Sequence, residues 1–253
     1  MKYKKSPRPT VGRRPSMKTQ IVQLACRLFT EVGYSGTSAS MIGRLLDIST
    51  GNITFYFPSK DHLLAVVVDE LFNFQSMMMD QAAEEGKSSL LAYCLELSSI
   101  AAACEESDLA RDFYKSAYTS PITLDLIRRN DTKKTMEVFK SFRPDWTEEE
   151  WIATENMVSG IEFATVMTSR DTTPLPKQIE KTLDSIMLLY GVPEDLRRIK
   201  INKVLSMDYR SIGLRMLVDF KEYMERVNEE NVVKSMTQKR PYNRKQKKDT
   251  TTA

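Results

Sequence analysis

Between Thr37 and Lys60 the chain carries hydroxyl, amide and ammonium groups at spacings suited to hydrogen bonding with a polyanion. Thr50, Asn52, Thr54 and Phe55 surround Ile53. A short helix that buries Ile53 therefore turns two hydroxyls, an amide and an aromatic ring outward. Such groups meet base edges and backbone in the major groove of a duplex. Thr37 and Ser40 offer hydroxyls or backbone N–H groups to phosphate, and Lys60 offers a cation. Bond-breaking chemistry finds less to use. His62 is the only histidine and reads as a surface or packing residue. No cysteine pair has zinc spacing, and no glycine-rich phosphate loop or nucleophile elbow occurs. The runs Glu84-Glu85, Glu105-Glu106 and Glu148 to Glu150 join sequence neighbours, which do not share a helix face, and read as solvated helix ends. The expectation is a protein that is not an enzyme and needs no metal or cofactor.

The elements that must position these groups are helical. The 253 residues are 41% hydrophobic, enough for a sizeable core, with 9 glycines and 10 prolines. Strong helix formers fill long stretches that carry no alternating β-branched pattern, so the fold class is all-α. Ile21, Leu24, Ala25, Leu28, Phe29 and Val32 form one buried stripe, and Gly33 supplies the stop. Thr37 and Ser38 can cap a short second helix with Ile42, Leu45 and Leu46 inward. Asp47 to Ser49 break it, and Thr50 to Tyr56 form a third. Gly51 is expected to let this third helix lie close to its neighbour. Pro58 and Ser59 separate it from a long fourth helix that reaches about Glu84.

Further helices are expected near 88–105, 108–119, 121–142 with a break near Asn130, 147–169, 175–190, 194–206 and 208–230. Ser120 before Pro121, and Thr147 before its three glutamates, mark two of the starts. The organisation reads as a disordered basic arm over 1–16, a helix-turn-helix domain over 17–63, a helical domain over 64–233 and a disordered basic tail over 234–253.

Charge follows the same division. The formal charge of +3 splits into +7 over residues 1–20, +6 over 234–253 and so −10 over 21–233. Basic tails attract nucleic acid or anionic membrane, or serve as solvated linkers. Cys26, Cys94 and Cys104 each lie in an apolar helical pattern and read as buried thiols in a reducing cytoplasm. The most apolar run, Leu63 to Val68, is cut by Asp69 and Glu70, so no membrane insertion is expected.

The stretch from Ile21 to Leu64 resembles the DNA-binding domain of the tetracycline-repressor (TetR) family. Leu28-Phe29, Gly33-Tyr34, Thr37-Ser38, Ile42, Ile48-Ser49, Gly51 and Phe57-Pro58-Ser59-Lys60-Asp61 carry the likeness. It implies that Thr50, Asn52, Thr54, Phe55 and Tyr56 approach double-stranded DNA, with Lys60 on the backbone. Two departures stand out. Thr54 occupies the place of a phosphate-contacting tyrosine, and Gly43 stands where alanine is common, at a helix cost of about 0.5–1 kcal/mol.

The resemblance also implies a dimerising, ligand-binding helical domain with its pocket near the fourth to seventh helices. That region supplies Met77, Met78, Met79, Tyr93, Phe113, Tyr114 and Tyr118, and Phe74, Met78, Tyr93, Phe113 and Tyr118 are expected nearest a small-molecule effector. Methionine and tyrosine line adaptable pockets and fill cores equally well. The acidic body slightly favours a cationic or neutral ligand. Ile152, Val158, Ile161, Ala164 and Thr165, then Ile179, Leu183, Ile186 and Tyr190, form two stripes for a four-helix homodimer interface or for packing inside the subunit. The sequence thus points to a cytoplasmic transcriptional regulator, a repressor released from a palindromic site by an apolar ligand. The alternative is a helical interaction protein docking non-specifically on RNA or anionic membrane through its basic tails.

Overall fold

A computed structural model describes residues 15–84 and 87–226. Most of the basic arm and all of the basic tail lie outside them, as does the expected continuation of the last helix to residue 230. Every regular element among the described residues is α-helical. The order is α1 (Met17–Glu31), α2 (Ala39–Leu46), α3 (Thr50–Tyr56), α4 (Lys60–Glu84), α5 (Ser89–Glu106), α6 (Asp108–Thr119), α7 (Pro121–Phe139), α8 (Glu148–Thr172), α9 (Leu175–Leu189), α10 (Glu194–Leu205) and α11 (Tyr209–Arg226).

Helix starts follow local chemistry. The side chains of Ser16, Ser38, Ser49, Ser88, Ser107 and Thr147 each accept a backbone N–H one turn on. Thr147 and Glu150 complete a reciprocal capping box. Gly33 takes a left-handed φ of 92° just after α1, where its N–H reaches the Leu28 carbonyl at 3.1 Å. Asp47 takes φ 55° between α2 and α3, a conformation that a short polar side chain tolerates.

The break expected near Asn130 is absent. Helix α7 runs unbroken to Phe139, packed on α4, α6 and α8, and Thr132 donates to the Arg128 carbonyl at 2.7 Å. Tertiary packing outweighs the weak helix propensities of Asn130, Asp131 and Thr132.

Two cores hold the chain. The first joins α1, α2 and α3 to α4, α6 and α11 through Ile21, Phe29, Ile42, Ile53, Phe57, Leu64, Phe113 and Phe220. Thus α4 leaves the first three helices without leaving their core. The second surrounds Tyr190, which stacks on Phe139 with ring centres 4.3 Å apart. Helix α5 lines both, and α11 lies against it so closely that a Cβ at Gly213 would stand 2.3 Å from the Ser99 carbonyl oxygen.

The expected stripe of α9 does not face outward. Ile179, Leu183, Ile186 and Tyr190 are all buried inside the subunit, as are Val158 and Thr165 of α8. Their apolar faces close the second core, leaving Ile152, Met157, Ala164 and Leu188 on the outside. All three cysteines are buried and unpaired, and burial pushes the thiols of Cys94 and Cys104 up to about 12. They are packing groups. No helix among the described residues is long and apolar enough to cross a membrane.

Candidate functional site

Helix α3 is seven residues long, and its placement follows from two anchors. Ile53 is 2% exposed and Phe57 1%, both in the first core. Thr50, Gly51, Asn52, Thr54 and Phe55 are exposed to solvent, Phe55 to 81%. Tyr56 is half-buried, its ring edge-on to Phe55 at 5.3 Å. Thr54 donates its hydroxyl to the Gly51 carbonyl at 3.1 Å, so its oxygen is held close to the helix.

Gly51 does not serve close packing of helices: a Cβ there would meet only Ser49 Oγ, at 3.6 Å. The glycine that does is Gly43, where a Cβ would lie 2.8 Å from the Ile48 carbonyl oxygen. Its departure from alanine therefore lets the turn fold tightly over α2. Gly43, Ile42 and Leu46 share the inner side of α2, and Leu45, rotated away from that side, is 58% exposed rather than inward.

The structure separates the expected phosphate contacts. Ser40 is exposed, its hydroxyl 3.0 Å from that of Ser38. Thr37 is 2% exposed, donates its hydroxyl to the Gly33 carbonyl at 2.7 Å and its N–H to Tyr34. Both donors are consumed in the turn after α1, so Thr37 holds that turn and Ser38 alone caps α2. Lys60 donates to the carbonyls of Tyr34 (2.9 Å) and Thr37 (3.0 Å) from above the Tyr34 ring. Its ammonium is committed first to the same turn. His62 is exposed with Nδ1 2.8 Å from Ser59 Oγ, a local contact at the start of α4.

Sequence reasoning missed Asp112. From α6 it accepts the Ser35 N–H at 2.8 Å and the Ser35 hydroxyl at 2.5 Å. This carboxylate ties the turn before α2 to the larger part of the molecule. Nothing local marks a partner 77 residues away.

The five expected ligand residues divide between two cavities. Phe74 and Met78 line a cleft of about 330 Å³ between α4, α5 and α11, with Ala92, Ser99 and Met216. Tyr93, Phe113 and Tyr118 instead face a void of about 40 Å³ that also meets Asp131, Lys134 and Glu162. Phe113 and Tyr93 are core residues first, at 0% and 2% exposure. The contribution of α11 to the larger cleft carries no sequence signal, because only the fold brings residues 212–219 beside α4.

Around the smaller void, Glu162 accepts the Tyr118 hydroxyl at 2.9 Å, and Tyr190 donates to Glu155 at 2.8 Å. Lys134 pairs with Glu96 at 2.5 Å. Burial, and then the nearness of other carboxylates, raises Glu155 to about 9 and Glu162 to about 8.

A short helix anchored by two buried residues, presenting a polar and aromatic face beyond a tight turn, defines a helix-turn-helix unit. The family model for bacterial regulatory proteins of the tetR family matches residues 21–67. Residues 21–67 therefore resemble the N-terminal domain of tetR-family regulators.

The "Probable HTH-type transcriptional regulator YttP" of Bacillus subtilis (strain 168) is 34% identical over 68 residues, 27% of this chain and 33% of that protein. The HTH-type transcriptional regulator HbdR of Aromatoleum sp. (strain CIB) is 29% identical over 129 residues, 49% of this chain and 55% of its own length. The chain thus matches between a third and about half of the length of these two relatives. Among solved structures, the TetR family protein CprB from S. coelicolor A3(2) aligns with 81% of this chain and 96% of its own, at 16% identity and a TM-score of 0.40.

Proposed function

We propose that the protein is a dimeric, sequence-specific DNA-binding regulator of transcription, acting in the cytoplasm where bacterial DNA lies, whose grip on DNA is loosened by a small, largely apolar molecule. The observation that carries the DNA reading is the outward face of α3, where Asn52, Thr50 and the 81% exposed Phe55 stand clear of the core. Asn reads adenine edges, hydroxyls meet bases or phosphate, and an aromatic ring packs on a thymine methyl. Thr50, Asn52, Thr54, Phe55 and Tyr56 remain the proposed contact set, with Ser40 toward the backbone. Thr37 leaves it, and Lys60 serves it chiefly by positioning.

A seven-residue helix spans few base pairs, so useful discrimination needs two copies about 34–36 Å apart or a multiple of one turn. The surface that supports pairing is the outer side of α8, where Ile152 and Met157 are exposed and Gly160 has open space around it. Small and apolar groups there permit close helix approach between two-fold mates.

Two connections support a ligand response. Helix α4 runs from Lys60, beside the reading head, to Phe74 and Met78 in the larger cleft, and Asp112 of α6 holds the turn before α2. A ligand that favours one arrangement of α4 by about 1–3 kcal/mol changes DNA affinity by roughly 5- to 150-fold.

Selection of bound duplexes from a random pool tests the reading. Recovered sites are expected to be palindromic with two half-sites. Retention of every duplex alike, with affinity falling steeply with salt, would instead mark non-specific docking through basic segments.

A further inference from the structure

Helices α7 and α8 bring Asp131, Glu155 and Glu162 to one point, an oxygen from each lying within 4.8 Å of the others. Oxygens that share one ion bound at about 2.0–2.6 Å lie no farther apart than roughly twice that distance. Glu155 and Glu162 stand two helical turns apart on α8 and are 1% and 5% exposed.

Two observations beyond the clustering point to a ligand. Glu155 Oε1 has no hydrogen-bond partner within the protein, although Oε2 accepts from Tyr190 and Thr135. An unsatisfied buried carboxylate oxygen is costly and calls for a donor or a cation. Beside the group lies the void of about 40 Å³, lined by Asp131, Glu162, Tyr93 and Tyr118. It is large enough for an ion or a water. Gln75 and Glu96 line both this void and the larger cleft, which gives a route inward.

We propose that Asp131, Glu155 and Glu162 form a binding site for one hard divalent cation of the Mg²⁺, Mn²⁺ or Ca²⁺ kind. The donors are oxygens throughout, which suits hard ions over those that seek thiolate or imidazole. Lys134 and Glu96 also line the void and pair with each other at 2.5 Å, so these two cancel and the cluster keeps the charge of its three carboxylates. A divalent ion brings their formal −3 to −1, where otherwise protons must relieve the repulsion. The three proposed donors come from α7 and α8, and the inference is independent of the DNA reading.

The full chain, stripped with chelator, is titrated with Mn²⁺ while the free aqueous ion is followed by electron paramagnetic resonance. The site withdraws one equivalent with a dissociation constant on the order of 10 µM, within the range of ordinary protein sites for hard cations, and Mg²⁺ or Ca²⁺ competes for it. Glu155→Gln and Asp131→Asn keep the side-chain shapes and weaken uptake at least tenfold. Glu180→Gln, an α9 carboxylate outside the cluster, leaves it unchanged. Should Glu155→Gln not fold, Asp131→Asn at the partly exposed rim carries the comparison. A parent chain that takes up no Mn²⁺ at millimolar concentration, or folded Asp131→Asn and Glu155→Gln variants that bind as the parent does, overturns the proposal.

Discussion

The Lys60 ammonium lies 2.9 Å from the Tyr34 carbonyl oxygen and 4.0 Å from the centre of the Tyr34 ring. A cation held by two carbonyls and a ring face is a structural clamp on the turn between α1 and α2. Lys60→Met is therefore expected to lower stability by about 1–3 kcal/mol, measured by chemical denaturation. If Lys60 acts mainly as a phosphate contact, the salt slope of DNA binding will instead fall by about one with little change in stability.

Asn52 is exposed and its side chain has no packing role, so Asn52→Ala should leave the helical signal and the melting temperature as they are. Discrimination against the wrong base at one position of each half-site should drop by about 1–3 kcal/mol. Competition binding with single-base variants of the selected duplex measures this. Unchanged discrimination would move the reading surface elsewhere.

At Gly213 the backbones of α5 and α11 come close together. Alanine there brings a methyl group against the Ser99 carbonyl oxygen and the Ala103 nitrogen, at 2.3 and 3.0 Å before adjustment, and backbone yields less readily than a side-chain tip. Gly213→Ala should cost about 1–3 kcal/mol by overpacking, outweighing its gain in helix propensity. Urea unfolding should show an earlier midpoint at the same slope.

Asp69 on α4 is raised to about 6, first by burial and then by Glu70 beside it. Its folded value lies above the ordinary carboxylate value near 3.9, so the folded state binds the proton more tightly. Below about pH 4 both states are protonated and Asp69 costs nothing. As pH rises through 4 to 6 the unfolded chain ionises more easily, and stability is lost until both states are charged. Asp69→Asn should match the parent at pH 4 and exceed it at pH 7, the difference growing across that window. A gap that does not change with pH would assign the effect to packing.

Part of the outward face of α3 was legible in the sequence because helical period constrains which residues flank a buried one. Once Ile53 is inside, the helical step carries Asn52 and Phe55 to the far side, whereas Thr50 and Thr54 stand nearer the Ile53 side and owe their exposure to the fold. Caps at Ser38, Ser49 and Thr147 and the stop at Gly33 are equally local, each settled by groups within one turn. What local chemistry left open was which side of an element meets which neighbour. An apolar stripe shows that a face is buried but not whether its cover is this chain or a second copy. The α9 stripe at Ile179, Leu183 and Ile186 is covered by α5, α8 and α10.

Leu45 and Gly43 show the same limit on a smaller scale, since the Ile48 carbonyl folding over α2 decided which of them faces inward. The sequence by itself determined the all-helical class, the helix order and part of the outward face of α3, because those depend on interactions spanning a few residues. Only the tertiary structure placed Asp112 against Ser35, brought α11 to the cleft beside Phe74, and gathered Asp131 with Glu155 and Glu162. Contacts between residues far apart in the chain arise from how whole helices pack, and no single residue's type encodes its distant partner.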